Sequence, residues 1–283
     1  MNKQDLTIRR MNRGELDMAC DWAAKEGWNP GIYDSECFYA QDPDGFFIGL
    51  LDDRPVAMVS AVAYGRTYGF MGFYIVEQDY RDTGYGLQMW EAGLDYLGNR
   101  CIGLDSVRPD LVSQKRPEFK PAYTNFRFKW LKDREFDIEH KVIPLSDISW
   151  ATLMPYDYEV FTFERENFLR SWISVPGTLS FGVIRNDKLL GYGVIRQCRE
   201  GFKVGPLFAD DNAAARSLFN ALTKDLDSGT AVFLDTPLVN TSALDLTHDY
   251  GMVEVFRTTR MYRGKQPLLP LHKWFGVTTF ELG

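Results

Sequence analysis

Histidine is scarce. His140, His248 and His272 are the only three in 283 residues, and none stands at metal-ligand spacing from another. No G-x-S-x-G elbow or other nucleophilic triad pattern occurs, so the histidines read as structural or surface residues and no metal is expected. Cysteine is also thin: Cys20, Cys37, Cys101 and Cys198 lie far apart with no C-x-x-C, which reads as free, mostly buried thiols in a reducing compartment. The sequon Asn240-Thr241-Ser242 is then idle. Basic charge falls short of acidic, 32 Lys and Arg against 39 Asp and Glu for a net −7. This argues against a nucleic-acid partner, which needs clustered basic residues. A local anion site remains open, and the acidic remainder weakly favours cationic substrates such as amines. Long hydrophobic runs are missing too, and Met1 to Arg10 is polar and then strand-like, without a signal-peptide core. The expectation is a cytoplasmic protein with no membrane partner.

What is present is a globular chain. Hydrophobic residues make up 45% and charged residues 25%, outside the range of disordered chains. The length predicts two domains of about 140 residues each.

The most informative stretch runs from Phe70 to Leu97. Phe70 to Val76 reads as an apolar strand, and beyond it Leu87, Trp90, Leu94 and Leu97 recur at helical spacing. Between them Arg81, Gly84 and Gly86 form R-x-x-G-x-G. Glycines there free the backbone and clear the approach of a ligand. The first N–H groups of the helix lack internal partners, so Asp82, Thr83, Gly84, Tyr85, Gly86 and Leu87 form a candidate anion cradle. The dinucleotide fingerprint is incomplete, since Met89 stands at its third glycine, and the phosphate-loop lysine is absent. By spacing alone, a compact strand-to-helix connection remains the alternative.

Along the rest of the chain, Leu6 to Met11 predicts a strand and Arg13 to Lys25 a helix closed by Gly27. A turn-rich stretch from Trp28 to Asp34 precedes a short helix, Ser35 to Ala40. Trp28 in such a loop suits either ligand recognition or core packing. Phe46 to Leu51 and Val56 to Tyr64 predict a hairpin. Cys101 to Val107 predicts a strand, a helix follows Asp110 until Pro117, and Phe126 to Trp130 closes the half. The charged stretch Lys129 to Lys141 is where the chain is expected to divide, into 1–135 and 136–283. The second half repeats the plan, with a hairpin at Ser180 to Ile195 and a helix at Ala213 to Leu226. Leu234-Asp235 echoes Leu104-Asp105 at 235 − 105 = 130, and Tyr250-Gly251-Met252 echoes Pro121-Ala122-Tyr123 at 252 − 123 = 129. The agreement predicts two copies of one fold. The glycine turn does not repeat: Asp210 and Asp211 stand there, suited to capping a helix and repelling a phosphate.

With Arg81, Gly84 and Gly86 after a long strand, the chain resembles the GNAT N-acetyltransferase superfamily, whose acetyl-coenzyme A loop reads R/Q-x-x-G-x-G/A. Phe168-Leu169-Arg170, Gly205 to Asp210, Phe233 to Pro237 and Thr278 to Gly283 look like the C-terminal domain of its tandem, YitH-like group. The resemblance implies an α+β (α/β) chain of two tandem GNAT-like domains, each a mixed, mainly antiparallel sheet flanked by helices. The first would bind acetyl-CoA and the second would be degenerate. It implies acetyl transfer from acetyl-coenzyme A to the amine of a small molecule or peptide; a non-catalytic acyl-coenzyme A sensor is the alternative. The backbone at Tyr74, Ile75 and Val76 would hold the acyl and pantetheine portions and supply an oxyanion N–H. A base is needed, and Glu77 and Asp105 are candidates; a solvated strand-end carboxylate and a turn cap are their bland alternatives. The family's acid tyrosine does not carry over, because Glu118 stands at its position. Trp28, Asn29 and Asp34 are the candidate acceptor contacts, with Trp28 stacking and Asp34 pairing with the amine.

Overall fold

The computed structural model describes residues 6–283. Its first repeat comprises Thr7–Arg10 (β1), Arg13–Lys25 (α1), Asp34–Gln41 (α2), Phe46–Leu51 (β2), Arg54–Tyr64 (β3) and Tyr68–Val76 (β4). Tyr85–Leu97 (α3), Cys101–Ser106 (β5), Pro109–Lys115 (α4) and Phe119–Leu131 (β6) complete it. The second follows the same order: Val142–Pro144 (β7), Trp150–Phe161 (α5), Glu166–Trp172 (α6), Leu179–Arg185 (β8), Lys188–Gln197 (β9) and Phe202–Ala209 (β10). Then come Asn212–Thr223 (α7), Ala231–Pro237 (β11), Thr241–Asp249 (α8) and Val253–Arg263 (β12), with a short extra strand, Trp274–Gly276 (β13). Among the described residues no helix is long and apolar enough to cross a membrane.

Local chemistry explains these boundaries. Asn12 and Glu15 form a reciprocal capping box that starts α1. Both predicted hairpins turn on two left-handed residues, Asp52 and Asp53 in one, Asn186 and Asp187 in the other. Two-residue turns of that hand match the twist of paired strands and favour Asn and Asp.

The strands form one continuous sheet, ordered β1-β2-β3-β4-β5-β12-β6-β11-β10-β9-β8-β7. That order is a palindrome of the two repeats about the β12–β6 pair. Each repeat has exchanged its last strand: β12 pairs with β5, and β6 pairs with β11. Phe70 and Met71 point to opposite faces of β4 and belong to different cores. The Phe70 core joins both repeats through α1, α2, α5 and α6, with Phe38 stacked near Phe168 and Trp172. The Met71 core packs under α3, and α7 and α8 cover a third.

Three expectations are corrected. Strand β6 is longer than Phe126 to Trp130; Pro121 is accommodated because the pairing with β12 shifts between Arg260 and Met261. Leu87 is 56% exposed, since the buried stripe of α3 is Tyr85, Met89, Trp90, Gly93, Leu94 and Leu97. Pro121 to Tyr123 lie inside β6, whereas Tyr250 to Met252 precede β12 at the end of α8, so this echo is coincidental. The Asp105 and Asp235 echo is structural.

Candidate active site

Strands β4 and β5 run parallel and pair only from Tyr68 with Cys101 to Met71 with Leu104. Beyond Met71 they part. On its other edge β4 carries a bulge against β3, between Met58 and Ser60, and Phe73 within it is left-handed at φ +44°. A bulge at this place re-aims the backbone of Phe73 to Val76 toward the opening. The opening leads to a cavity of about 120 Å³ lined on one side by Trp90 and Val112 and on the other by Trp28, Phe256, Phe280 and Glu281.

The glycine turn lies next to it. Gly84 takes φ +91° at the N-cap of α3 and, as glycine, offers no side chain to cap that helix. A Cβ at Gly86 would stand 2.5 Å from the Tyr74 hydroxyl and 3.1 Å from a Val76 methyl, so a larger residue would have to displace the Tyr74 phenol. Tyr74 meets Trp90 edge to face at 5.3 Å, and burial pushes its phenol above the usual range. Arg81 donates through Nε to the Val76 carbonyl at 3.0 Å and pairs with Glu26 at the end of α1. Thr83 closes the turn by donating to the Tyr80 carbonyl at 2.6 Å, and Asp82 is left-handed at φ +61°. An anionic group would here meet a helix start whose N-cap residue carries no side chain, with an open backbone approach.

The other candidates stand as follows. Glu77 lies outside the cavity lining, accepts from Arg54 at 2.9 Å and is partly exposed. Asp105 lines the cavity, but Arg260 grips both its oxygens at 3.0 and 2.7 Å and Asn125 donates a third hydrogen bond at 2.9 Å. Asp235 holds the equivalent position and is gripped by Arg127 at 2.7 Å on each oxygen. Burial alone would raise the Asp235 carboxyl, yet the Arg127 guanidinium keeps it below the usual range. Trp28 lines the cavity, and its carbonyl accepts from Arg127. Asn29 and Asp34 instead tie the two repeats together. Asn29 exchanges hydrogen bonds with the Glu200 backbone, and buried Asp34 is gripped by Arg196. Sequence reasoning missed Phe256, Phe280 and Glu281 as site residues. They lie about two hundred positions from β4: Phe256 arrives on the exchanged strand β12, and Phe280 and Glu281 on the segment that follows β13.

The second repeat has the same layout with a different content. Strands β10 and β11 part after Val204 and Leu234, but β13 enters the gap. It pairs with β10 at Leu207 and Phe208, and Val277 beyond it donates to the Asp235 carbonyl at 2.7 Å. Asp211 caps α7 by accepting from Ala214 at 2.8 Å, occupying the end that α3 leaves bare. Asp210 accepts from Tyr156 and Lys273.

A parallel strand pair that splays, built twice and over a glycine turn in the first copy, is the architecture of an acyl-group transferase, and family comparison agrees. Residues 16–115 match the acetyltransferase (GNAT) family and residues 153–276 an acetyltransferase (GNAT) domain. The chain belongs to the GNAT superfamily. Within it, this is a tandem protein, two GNAT domains in one chain, and an N-acyltransferase enzyme. It is 29% identical over 280 residues to holothin acyltransferase of Pseudoalteromonas sp. (strain SANK 73390), covering 99% of this chain and 95% of that protein. Among solved structures, an acetyltransferase candidate from Pyrococcus horikoshii superposes with a TM-score of 0.83 at 21% identity, over 100% of this chain and 98% of the other. A tandem GNAT protein of the clavulanic acid biosynthesis pathway gives 0.66 at 10%, over 93% and 100%. At these identities the likeness speaks for the fold.

Proposed function

We propose that the first repeat, residues 1–135, binds acetyl-coenzyme A and acetylates the amine of a small molecule, while the second, 136–283, is a degenerate copy kept for contacts. The observation that carries this is the contrast between the two N-cap residues: Gly84 of α3 has no side chain to cap its helix, and Asp211 caps α7. When bound, the thioester supplies the acyl group and a thiol leaving group. Of the chain's own parts, the Arg81 to Leu87 turn holds the pyrophosphate on backbone N–H groups. The bulged backbone of Tyr74, Ile75 and Val76 orients the acyl carbonyl and supplies a donor for charge developing on its oxygen. The acceptor enters from the face of Trp28, Phe256 and Phe280. These aromatic walls suit a compact, flat amine and exclude water from the reacting nitrogen. Holothin, the substrate named for the Pseudoalteromonas relative, is the first acceptor to try.

Calorimetry with coenzyme A tests the cofactor half of this reading. One site per chain is expected in the wild type and none in Gly86→Glu; two sites, or unchanged affinity in that variant, count against it. Release of free thiol from acetyl-coenzyme A, followed with holothin, polyamines, amino acids and peptides, tests the acceptor half. Preference for a longer acyl-coenzyme A would correct the acyl group.

A further inference from the structure

Four buried aspartates are each matched by an arginine: Asp34 by Arg196, Asp105 by Arg260, Asp157 by Arg165 and Asp235 by Arg127. Glu281 is buried as deeply, at 3% exposure. Among the described residues its carboxylate has neither a hydrogen-bond donor nor an ion-pair partner, and it lines the cavity beside Gly72, Phe73 and Trp28. An isolated buried carboxylate is costly and needs an explanation.

Its backbone is fixed with care. The chain leaves β13, Thr278 accepts from Arg165 at 2.8 Å, and the Thr279 hydroxyl accepts from the N–H groups of Glu281 and Leu282 at 3.2 and 2.9 Å. The Leu282 carbonyl accepts from Tyr64 of the first repeat at 2.8 Å. The Glu281 carbonyl packs on β4 so tightly that a Cβ on Gly72 would stand 2.2 Å from it. The second repeat therefore delivers a carboxylate to the splay of the first and holds it there with free lone pairs. Asp105 also faces the cavity, but its oxygens already accept from Arg260 and Asn125.

We propose that Glu281 is the general base of this active site, drawing its proton from the acceptor amine. This rests on the acyltransferase reading above. The amine nitrogen forms the new N–C bond, the C–S bond breaks, and its electron pair leaves with sulfur. The ammonium form of the acceptor gives one proton to the Glu281 carboxylate, which later releases it to water, and the second, lost as the N–C bond forms, reaches the departing sulfur through water. An ordinary amine with a pKa of about 10.4 costs roughly 4 to 5 kcal/mol to deprotonate near neutral pH, so the site needs such an acceptor. Burial pushes the Glu281 carboxyl up and Asp34 adds to this, against the opposing pull of Lys203, Arg127 and Arg196. The net shift moves it toward the range in which a base works best.

The test compares wild type, Glu281→Gln and Glu281→Asp in the full chain. Glu281→Gln is expected to lower kcat by about 100-fold or more, to keep coenzyme A affinity by calorimetry within about twofold, and to lose the acidic limb of the kcat/KM profile; Glu281→Asp recovers part of the rate. A readout without acyl donor is the infrared band of a protonated carboxyl in the free protein. It is expected to persist above the pH at which ordinary glutamates ionise and to be missing in Glu281→Gln. A rate within about threefold of wild type in Glu281→Gln, or joint loss of rate, coenzyme A affinity and melting temperature, overturns the proposal. Turnover by wild type alongside an active Glu281→Gln refutes only the base. A wild type that neither binds coenzyme A nor acylates any amine refutes the function itself.

Discussion

Asp105 and Asp235 end equivalent strands, and each meets an arginine carried on the exchanged strand of the other repeat, Arg260 on β12 and Arg127 on β6. The aspartates were visible as an echo in the sequence. Their partners were not, because Arg127 and Arg260 are 260 − 127 = 133 residues apart and their strands differ in length. Removing one partner leaves the other charge buried, so Arg260→Met should cost about 3 to 5 kcal/mol by urea denaturation, whereas replacing both partners with apolar residues should cost far less. Glu281 has the opposite sign. Its folded-state pKa is raised, so the folded protein binds its proton more tightly than the unfolded chain does. The stability this gives is complete below the unfolded pKa and is lost as pH rises through the folded one. Glu281→Gln should therefore melt higher than wild type at pH 7 to 8, with the gain vanishing toward pH 4, as differential scanning calorimetry across pH would show.

At the scale of elements, α3 and α7 are the same helix with different beginnings. The strand, turn and helix of the first were legible because glycine and apolar period both act locally. The different build of the second was legible only in part. Asp210 and Asp211 announced a capped helix, but nothing local to β13 says that it fills the gap between β10 and β11. Replacing Asp210 and Asp211 with glycine should accordingly fail to create a second coenzyme A site by calorimetry, since the gap stays filled. A stoichiometry of two in that variant would refute the role assigned to β13. Asn29 and Asp34 illustrate the same limit: a loop rich in polar and aromatic residues reads alike whether it holds a ligand or staples two repeats.

For the whole molecule, strand exchange makes each repeat's sheet incomplete without the other. Antiparallel pairing is set by partners more than a hundred residues away, and hydrophobic alternation in β6 and β12 fits either neighbour, so the sequence carried the repeat but not the exchange. Heat should unfold the chain in one transition with equal calorimetric and van't Hoff enthalpies, where independent halves would give two. The same exchange limits how such a chain can change over generations. The second copy of the turn carries Asp210 and Asp211 where the first carries glycines, yet that copy cannot be discarded, because β12 completes the sheet of its sibling. With β13 seated between β10 and β11, changing the turn alone leaves that gap filled. On the function proposed above, a change of either copy is a change to both, because the one site is walled by residues of each.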